Sequence, residues 1–171
     1  TLRVAICGGG PLAPSIFKVY QELGIDFIQG YGLTETSPII ALNPMEHFKI
    51  ESVGQFFAPY MEMRIADPDE NGVGEVRVKG PMVMKGYYNN EEATREAIDE
   101  DGWLHTGDLG MMDEEGYIRV TGRLKDMVIR GGENIYPREI EEFLYKHPSI
   151  LDVQVCGVPD EKYGEECAAW I

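Results

Sequence analysis

Cysteine and histidine are both scarce in this sequence of 171 residues. Three of each occur, at Cys7, Cys156, Cys167, His47, His105 and His147. The cysteines are odd in number and form no CxxC pair, which argues against a disulfide framework and favours a reduced, cytoplasmic location. The histidines are scattered without metal-ligand spacing, which argues against a structural zinc site.

Long hydrophobic runs and excess positive charge are also lacking. No apolar run approaches the roughly 20 residues that span a bilayer, and no leader pattern stands at the first residues, so membrane association is not indicated. Thirty acidic and 15 basic residues give a net charge of −15, which argues against duplex nucleic acid as a partner. A small anionic ligand is compatible with this charge, because its site needs only a few local cations.

Hydrophobic residues make up 43% of the sequence and aromatic residues 10%, which is typical of an ordered globular protein with one core, or one and a fraction. The sequence lacks an initiator Met, opens in the strand-like run LRVAIC and stops in the apolar run CAAWI. We therefore expect both ends to lie inside a longer protein. Open sheet edges in such a piece are expected to cause self-association.

The first 28 residues predict a parallel β–α–β unit. Strands are expected at 2–7 and 25–28, with a helix over 14–23 whose apolar stripe is Ile16, Phe17, Tyr20 and Leu23. The turn Gly8-Gly9-Gly10-Pro11 lies between the first strand and the helix. It lets backbone N–H groups approach an anionic ligand, or it is a tight structural turn, which is the better interpretation for this turn alone.

A second polar loop follows the next strand, at the strand end where open α/β sheets bind ligands. It holds an aromatic ring, three hydroxyls and one carboxylate: Tyr31, Thr34, Thr36, Ser37 and Glu35. An aromatic ring can stack on a base, a hydroxyl can donate to a phosphate, and a carboxylate can hold Mg²⁺. The alternative is a loop capped by its own threonine side chains.

From residue 52 onward, alternating patterns predict short antiparallel strands in a small barrel or twisted sheet. Strands are expected at 61–65 and 73–79 around a hairpin turn at 69–72, and a polar helix around 91–98. A further strand pair surrounds a turn at 113–116. Asp108 either forms a turn or accepts hydrogen bonds from a sugar diol.

The stretch 121–141 is a basic island in an acidic chain. The window 119–130 holds Arg119, Arg123, Lys125 and Arg130 against Asp126, a local charge of +3. It is either a solvated turn between domains or a hinge that meets an anionic ligand.

The pattern after this island predicts a small α+β module. Pro137 starts a helix whose buried stripe is Ile140, Phe143 and Leu144. A strand at 150–158, a turn at 159–160 and a last strand near Cys167 follow. Three domains are expected, at 1–50, 51–124 and 125–171.

Four motifs in order, GGGP, YGLTE, GWLHTGD and GRLKDMVIRGGENIYPREIE, resemble the adenylate-forming superfamily of acyl-CoA synthetases, luciferases and peptide-synthetase adenylation domains. The sequence looks most like a fatty or medium-chain acyl-CoA synthetase. The resemblance implies an α/β plus β fold: the end of a large adenylation domain, with a parallel α/β unit and a small antiparallel barrel, followed by the start of a truncated α+β C-terminal domain.

The resemblance implies that ATP, Mg²⁺ and CoA take part, with a fatty or other carboxylic acid as substrate. Thr34 and Glu35 would be catalytic, with Thr34 on the α-phosphate and Glu35 on Mg²⁺. Lys125 would be the hinge residue. The remaining implied positions are Gly8, Gly9, Gly10, Pro11 and Tyr31 at the adenine, Asp108 and Arg123 at the ribose, Gly131 and Gly132 at the pantetheine tunnel, and Gly30 with residues 36–38 at the acyl pocket.

The same motifs are compatible with two other functions. An adenylating module could pass its adenylate to a carrier-protein thiol or to an oxidase-type reaction instead of to CoA. A non-catalytic domain could keep the nucleotide residues without turnover, although the intact site positions argue against decay.

The resemblance also places two parts of the catalytic machinery outside this sequence, a Ser/Thr/Gly-rich phosphate loop and the adenylation lysine. We therefore expect the 171-residue chain alone to be inactive, whereas its parent enzyme is active. The measurement is release of AMP from ATP by the purified chain with octanoate and CoA. CoA-dependent release would contradict the prediction.

Overall fold

A computed structural model of the chain describes residues 2–10 and 12–171, and it has a mixed α/β architecture. The strands are β1 (Ala5–Cys7), β2 (Phe27–Tyr31), β3 (Ala41–Leu42), β4 (Gly54–Phe56), β5 (Glu62–Ala66), β6 (Gly74–Lys79), β7 (Leu104–Met112), β8 (Tyr117–Arg123), β9 (Val128–Arg130), β10 (Glu133–Ile135), β11 (Gln154–Asp160) and β12 (Gly164–Trp170). The helices are α1 (Pro14–Glu22), α2 (Glu91–Ala97) and α3 (Pro137–Leu144), and short 3₁₀ turns lie at Thr34–Thr36 and Leu124–Asp126. Within the described ranges, no helix has the length and apolar character needed to cross a membrane.

The chain forms two compact units. The first contains Thr1–Thr106 and Gly110–Val120, and the second contains Gly107–Leu109 and Thr121–Ile171. The three-domain division stays a prediction.

Eight strands form one mixed sheet in the order β1-β2-β3-β4-β8-β7-β6-β5. The β1–β2 pair is parallel, with Ala5 opposite Phe27, and α1 connects the two strands, which confirms the predicted β–α–β unit. The predicted hairpin is confirmed too, because β5 and β6 pair antiparallel with Ile65 opposite Val76. The antiparallel strands continue the same sheet as the parallel pair, so the structure has the sheet and not a separate barrel.

The core of the first unit lies against this sheet. Its buried apolar side chains are Ile40, Ala41, Val53, Met61, Met63, Val76, Val78, Leu104 and Ile118. Helix α1 contributes Phe17, which is buried and packs edge-on to the Phe27 ring at 5.6 Å between centroids. The helix predicted from this apolar stripe is present, but its other three residues, Ile16, Tyr20 and Leu23, are exposed. Phe17 contacts Phe27 and Phe48, and the exposed Tyr20 stacks on Phe27 at 4.6 Å between centroids, so two aromatic residues anchor this short helix.

The second unit contains a four-stranded sheet in the order β10-β9-β12-β11. Val128, Val153 and Val155 are buried in this unit, and the backbone N–H of Val155 donates to Glu141 of α3 at 2.7 Å. The predicted burial of Phe143 was wrong, since its side chain is 69% exposed. Ile140 and Leu144, four residues apart, share one half-buried helix face, and Phe143 lies at the border of that face.

Strand β11 begins at Gln154 and not at residue 150 as predicted. The preceding residues form a turn, because the Asp152 carboxylate accepts from the Tyr145 hydroxyl at 2.5 Å and from the Val153 N–H at 2.9 Å. The predicted turn at 159–160 was also wrong: Pro159 and Asp160 end β11. Asp160 instead accepts from the N–H groups of Lys162 and Tyr163, which places the turn one step later.

Asn43 organises the connection between β3 and β4. Its side chain is 1% exposed, and its amide donates to the carbonyls of Lys49 (2.9 Å) and Ser52 (2.8 Å). Its carbonyl oxygen accepts from the Lys49 N–H at 3.0 Å. Three hydrogen bonds from one buried side chain therefore close this loop, and sequence patterns did not single it out.

We expect Asn43→Ala to lower the free energy of unfolding of the first unit by about 3 kcal/mol, because buried carbonyls lose their donors. Urea denaturation followed by Trp103 fluorescence in a Trp170→Phe background measures this unit, since the chain has two tryptophans. Asn71→Ala, on an exposed turn, is the matched control. Equal midpoints for the two variants would contradict the prediction.

Candidate functional site

The polar loop after β2 is shaped by a close approach of two backbone segments. Tyr31 ends β2, and a side chain at the next residue, Gly32, would place its Cβ 1.7 Å from the carbonyl oxygen of Pro38. Any residue larger than glycine would therefore open the loop. This contact brings the two ends of the segment 32–38 together.

Thr36 fixes the inside of the same loop. It is fully buried, its Oγ1 accepts from the Leu33 N–H at 3.0 Å, and the carbonyl oxygens of Leu33 and Pro38 lie 2.9 and 3.2 Å from it. The alternative of a loop capped by its own threonine is thus confirmed for Thr36. A Thr36 role at an acyl pocket would have to act through its backbone or methyl group.

Thr34 and Glu35 lie on the outside of the turn that Thr36 holds. Thr34 is exposed and Glu35 is half-buried. The Glu35 carbonyl accepts from the Met84 N–H at 2.8 Å, and its carboxylate Oε1 accepts from the Tyr87 hydroxyl at 2.8 Å. The loop therefore presents one hydroxyl and one oriented carboxylate to solvent.

A second attachment holds the end of this loop. Ser37 adopts a left-handed conformation, with φ 59°, and its hydroxyl donates to the Met82 carbonyl at 3.0 Å. Together with the contacts of Glu35, it ties the loop to the segment 82–87 that precedes α2. The Glu35 carboxylate also raises the pKa of the Tyr87 hydroxyl, chiefly through their hydrogen bond.

The glycine turn lies at the same sheet edge as this loop, because β1 and β2 are parallel neighbours and both turns follow their carboxyl ends. Gly8, Gly9 and Gly10 are exposed, and Gly9 has a φ of +84° that favours glycine. A Cβ on Gly8 would lie 3.4 Å from the Gly30 carbonyl oxygen. Pro11 lies outside the described residues.

Asp108 and Arg123 come together in the second unit. Asp108 is 6% exposed, and its Oδ1 lies 3.4 Å from Nε of Arg123. The side chain of Arg123 is 57% exposed, so its guanidinium also faces water. The structure thus pairs the two residues that the resemblance assigns to the ribose.

The remaining predicted positions follow Arg123 along the chain. Lys125 is exposed in the Leu124–Asp126 turn. Gly131 and Gly132 form the two-residue turn between β9 and β10, with φ values of 61° and 91° that suit a type I′ hairpin. The Gly131 N–H donates to the Tyr163 carbonyl at 2.9 Å. The hinge and tunnel roles of these residues stay predictions.

Comparison with known proteins supplies the identity that the geometry alone leaves open. Residues 1–88 match the family described as AMP-binding enzyme, which is half of the chain. The chain belongs to the AMP-binding enzyme family. This confirms the resemblance that the four motifs indicated.

Relatives of this AMP-binding chain are longer proteins. It is 53% identical over 182 aligned residues to YngI of Bacillus subtilis (strain 168), covering all of this chain and 33% of that protein. It is 41% identical to the mitochondrial medium-chain acyl-CoA ligase ACSF2 of Bos taurus, covering all of this chain and 29% of the ligase. The chain therefore spans about a third of the length of the curated relatives it matches.

Two solved structures of similar proteins contain a bound nucleotide or acyl-adenylate. ATP-bound MatB from Rhodopseudomonas palustris is 36% identical, with a TM-score of 0.88 over 97% of this chain and 34% of MatB. The o-succinylbenzoate CoA synthetase MenE from Bacillus subtilis, in complex with its acyl-adenylate intermediate, is 38% identical, with a TM-score of 0.85 over 99% of this chain and 37% of MenE. Similar proteins therefore bind ATP and an acyl-adenylate.

The donor set of the AMP-binding chain fits Mg²⁺ in one specific manner. The described part of the chain contains no cluster of three or more His, Cys, Asp or Glu side chains that could hold a metal alone. Mg²⁺ at phosphate sites commonly takes one or two carboxylates, with substrate phosphates and water as its other ligands. Glu35 is half-buried, is oriented by Tyr87 and follows the exposed Thr34 in the chain, so it suits that role.

Sequence reasoning missed two residues that shape the site, Gly32 and Tyr87. The need for glycine at position 32 depends on the Pro38 carbonyl, and sequence shows no such contact. Tyr87 is separated from Glu35 by 52 positions, so no local pattern relates the two residues. The sequence does show a tyrosine, Tyr87, three residues before Asn90, which caps the start of α2. This tyrosine was the one available signal of a polar contact.

Removing the buried hydroxyl of Thr36 should loosen this loop. We expect Thr36→Val to lower the free energy of unfolding of the first unit by about 2 kcal/mol, because a buried N–H loses its acceptor, whereas Thr36→Ser keeps the bonds. Urea denaturation and amide exchange of Leu33 measure both effects. A Val variant as stable and as well protected at Leu33 as the Ser variant would contradict this.

Proposed function

We propose that this chain is part of an acid–CoA ligase that activates a carboxylic acid with ATP. In the first step a carboxylate oxygen attacks the α-phosphorus, which forms acyl-AMP and releases pyrophosphate. In the second step the thiol of CoA attacks the acyl carbonyl and releases AMP. The observation that carries the proposal is the loop after β2. In this loop Thr36 is buried and hydrogen-bonded, while Thr34 and Glu35 lie on the outer side of the turn.

The residues of this loop suit the first step. Negative charge develops on the α-phosphate oxygens in the transition state, and a preorganised donor there needs no reorganisation during the reaction. The exposed hydroxyl of Thr34 can donate to an α-phosphate oxygen. Glu35 would hold Mg²⁺, which when bound would neutralise phosphate charge.

The base and sugar of the nucleotide have their own proposed partners. Tyr31 would stack on the adenine, and the turn from Gly8 to Pro11 would lie against it through backbone. In the second unit the buried Asp108 carboxylate would accept both ribose hydroxyls, assisted by Arg123. Lys125 would be the hinge, and Gly131 with Gly132 would line the pantetheine tunnel.

Each of the two units would belong to a different domain of the longer enzyme. The first unit would be the end of an adenylation domain, and the second would be the start of a C-terminal α+β domain whose rotation gates the two steps.

The proposed substrate is a fatty or medium-chain acid, supported by the similarity to a medium-chain acyl-CoA ligase. The second candidate is an adenylating module that transfers to a carrier-protein thiol. Both functions share the first step and differ in the acceptor.

The test uses the whole protein that contains this chain. ATP–pyrophosphate exchange is measured with medium-chain, long-chain, aromatic and dicarboxylic acids, and thioester formation is then measured with CoA or a carrier protein. Exchange with a medium-chain or longer fatty acid, together with CoA thioester formation, is expected. Absence of exchange with every acid would contradict the proposal.

Substitution of Asp108 tests the nucleotide assignment. In the whole protein, Asp108→Ala should raise the KM for ATP by about tenfold to a hundredfold, because one or two charged hydrogen bonds to the ribose are lost. Asp101→Ala, on an exposed turn, is the control. An unchanged KM for ATP would refute the role of Asp108.

A further inference from the structure

Tyr87 lies between the carboxylate of Glu35 and the first turn of α2. Its hydroxyl donates to Glu35 Oε1 at 2.8 Å, while the residue as a whole is 41% exposed. The neighbouring Tyr88 is 93% exposed. One of two consecutive tyrosines is therefore held on Glu35, and the other faces solvent.

The backbone of Tyr87 is fixed by the start of α2. The Thr94 hydroxyl accepts from the Tyr87 N–H at 2.9 Å and donates to the Asn90 carbonyl at 2.7 Å. The Asn90 N–H donates to the Tyr87 carbonyl at 3.2 Å. Both backbone polar groups of Tyr87 are therefore bound to the residues that begin the helix.

Gly86 makes this arrangement sterically possible. It has a φ of +148°, and a Cβ at this position would lie 2.8 Å from Cγ2 of Thr94. A larger residue would push Thr94 away and release the Tyr87 N–H. The segment thus places the Tyr87 ring through one glycine, one threonine and one helix cap.

The Glu35 carboxylate gains a defined orientation from this contact. A free glutamate side chain samples several rotamers, and a hydrogen bond to a charged oxygen is stronger than one between neutral groups. Tyr87 takes Oε1, and the described residues offer no hydrogen bond to Oε2. Tyr87 therefore holds one oxygen of the half-buried carboxylate in place and leaves the other oxygen without a hydrogen bond from the described residues.

We propose that Tyr87 is a positioning residue that holds Glu35 in the rotamer that binds the divalent cation of the nucleotide. The inference rests on the proposed function. Tyr87 does not touch the reacting atoms and acts through Glu35.

The test compares Tyr87→Phe with Tyr88→Phe in the whole protein. In ATP–pyrophosphate exchange, the Mg²⁺ concentration for half-maximal rate should rise about tenfold in the Tyr87 variant, the equivalent of one charged hydrogen bond. The rate at saturating Mg²⁺ should stay within about twofold, and the Tm should change little because the ring is retained. Tyr88→Phe should change none of these values.

A second readout does not depend on turnover. Electron paramagnetic resonance measures Mn²⁺ binding in the presence of a non-hydrolysable ATP analogue. Mn²⁺ affinity should fall by a similar factor in Tyr87→Phe. In a Glu35→Gln background the Tyr87 substitution should add little, because coupled residues have non-additive effects.

The outcomes separate the two proposals. An inactive wild type that binds Mn²⁺ with the analogue would overturn the proposed function, and the double-mutant cycle would still decide the role of Tyr87. An unchanged Mg²⁺ requirement and unchanged Mn²⁺ affinity in Tyr87→Phe would overturn the positioning role. A fall in Tm with metal dependence unchanged would make Tyr87 a structural residue only and would overturn it equally.

Discussion

The hydrogen bonds of the buried Thr36 hydroxyl are the interaction on which the candidate site depends. This hydroxyl accepts from the Leu33 N–H and lies close to the carbonyl oxygens of Leu33 and Pro38. The polar backbone groups of the tight turn therefore have a hydrogen-bond partner. Thr34 and Glu35 lie outward because Thr36 points inward. The absence of a Cβ at Gly32 permits the same closure from the other side, since Pro38 occupies that space.

Attachment to a distant segment gives this turn its second constraint. A turn closed only by its own residues would leave the Glu35 side chain free to rotate. Hydrogen bonds from Met84 and Tyr87 fix the backbone carbonyl and the carboxylate of Glu35. The bond from Ser37 to Met82 fixes the end of the turn. The sheet supplies the position of the loop, and the segment before α2 supplies its orientation.

Sequence predicted the features that local patterns specify. The β–α–β unit and the β5–β6 hairpin follow from short apolar runs and a strong turn, and both are present. The exposure of Phe143 and of most of the α1 stripe was missed, because periodicity identifies an apolar face without showing what covers it. The Tyr87–Glu35 bond was missed for a related reason: residues 52 positions apart meet only through tertiary structure.

The basic island is less available to a ligand than its sequence indicated. Arg119 lies 3.9 Å from Glu51, and Arg130 binds Glu166 at 2.7 Å while its guanidinium lies over the Tyr163 ring. Local charge in a sequence window therefore overstates the positive potential, since acids from distant positions neutralise it. Arg123 differs from these two because its partner, Asp108, is itself proposed to bind the ribose. This pair joins the buried Asp108 carboxylate to an Arg123 side chain that is 57% exposed, so water can solvate the guanidinium when a ribose hydroxyl takes its place on the carboxylate.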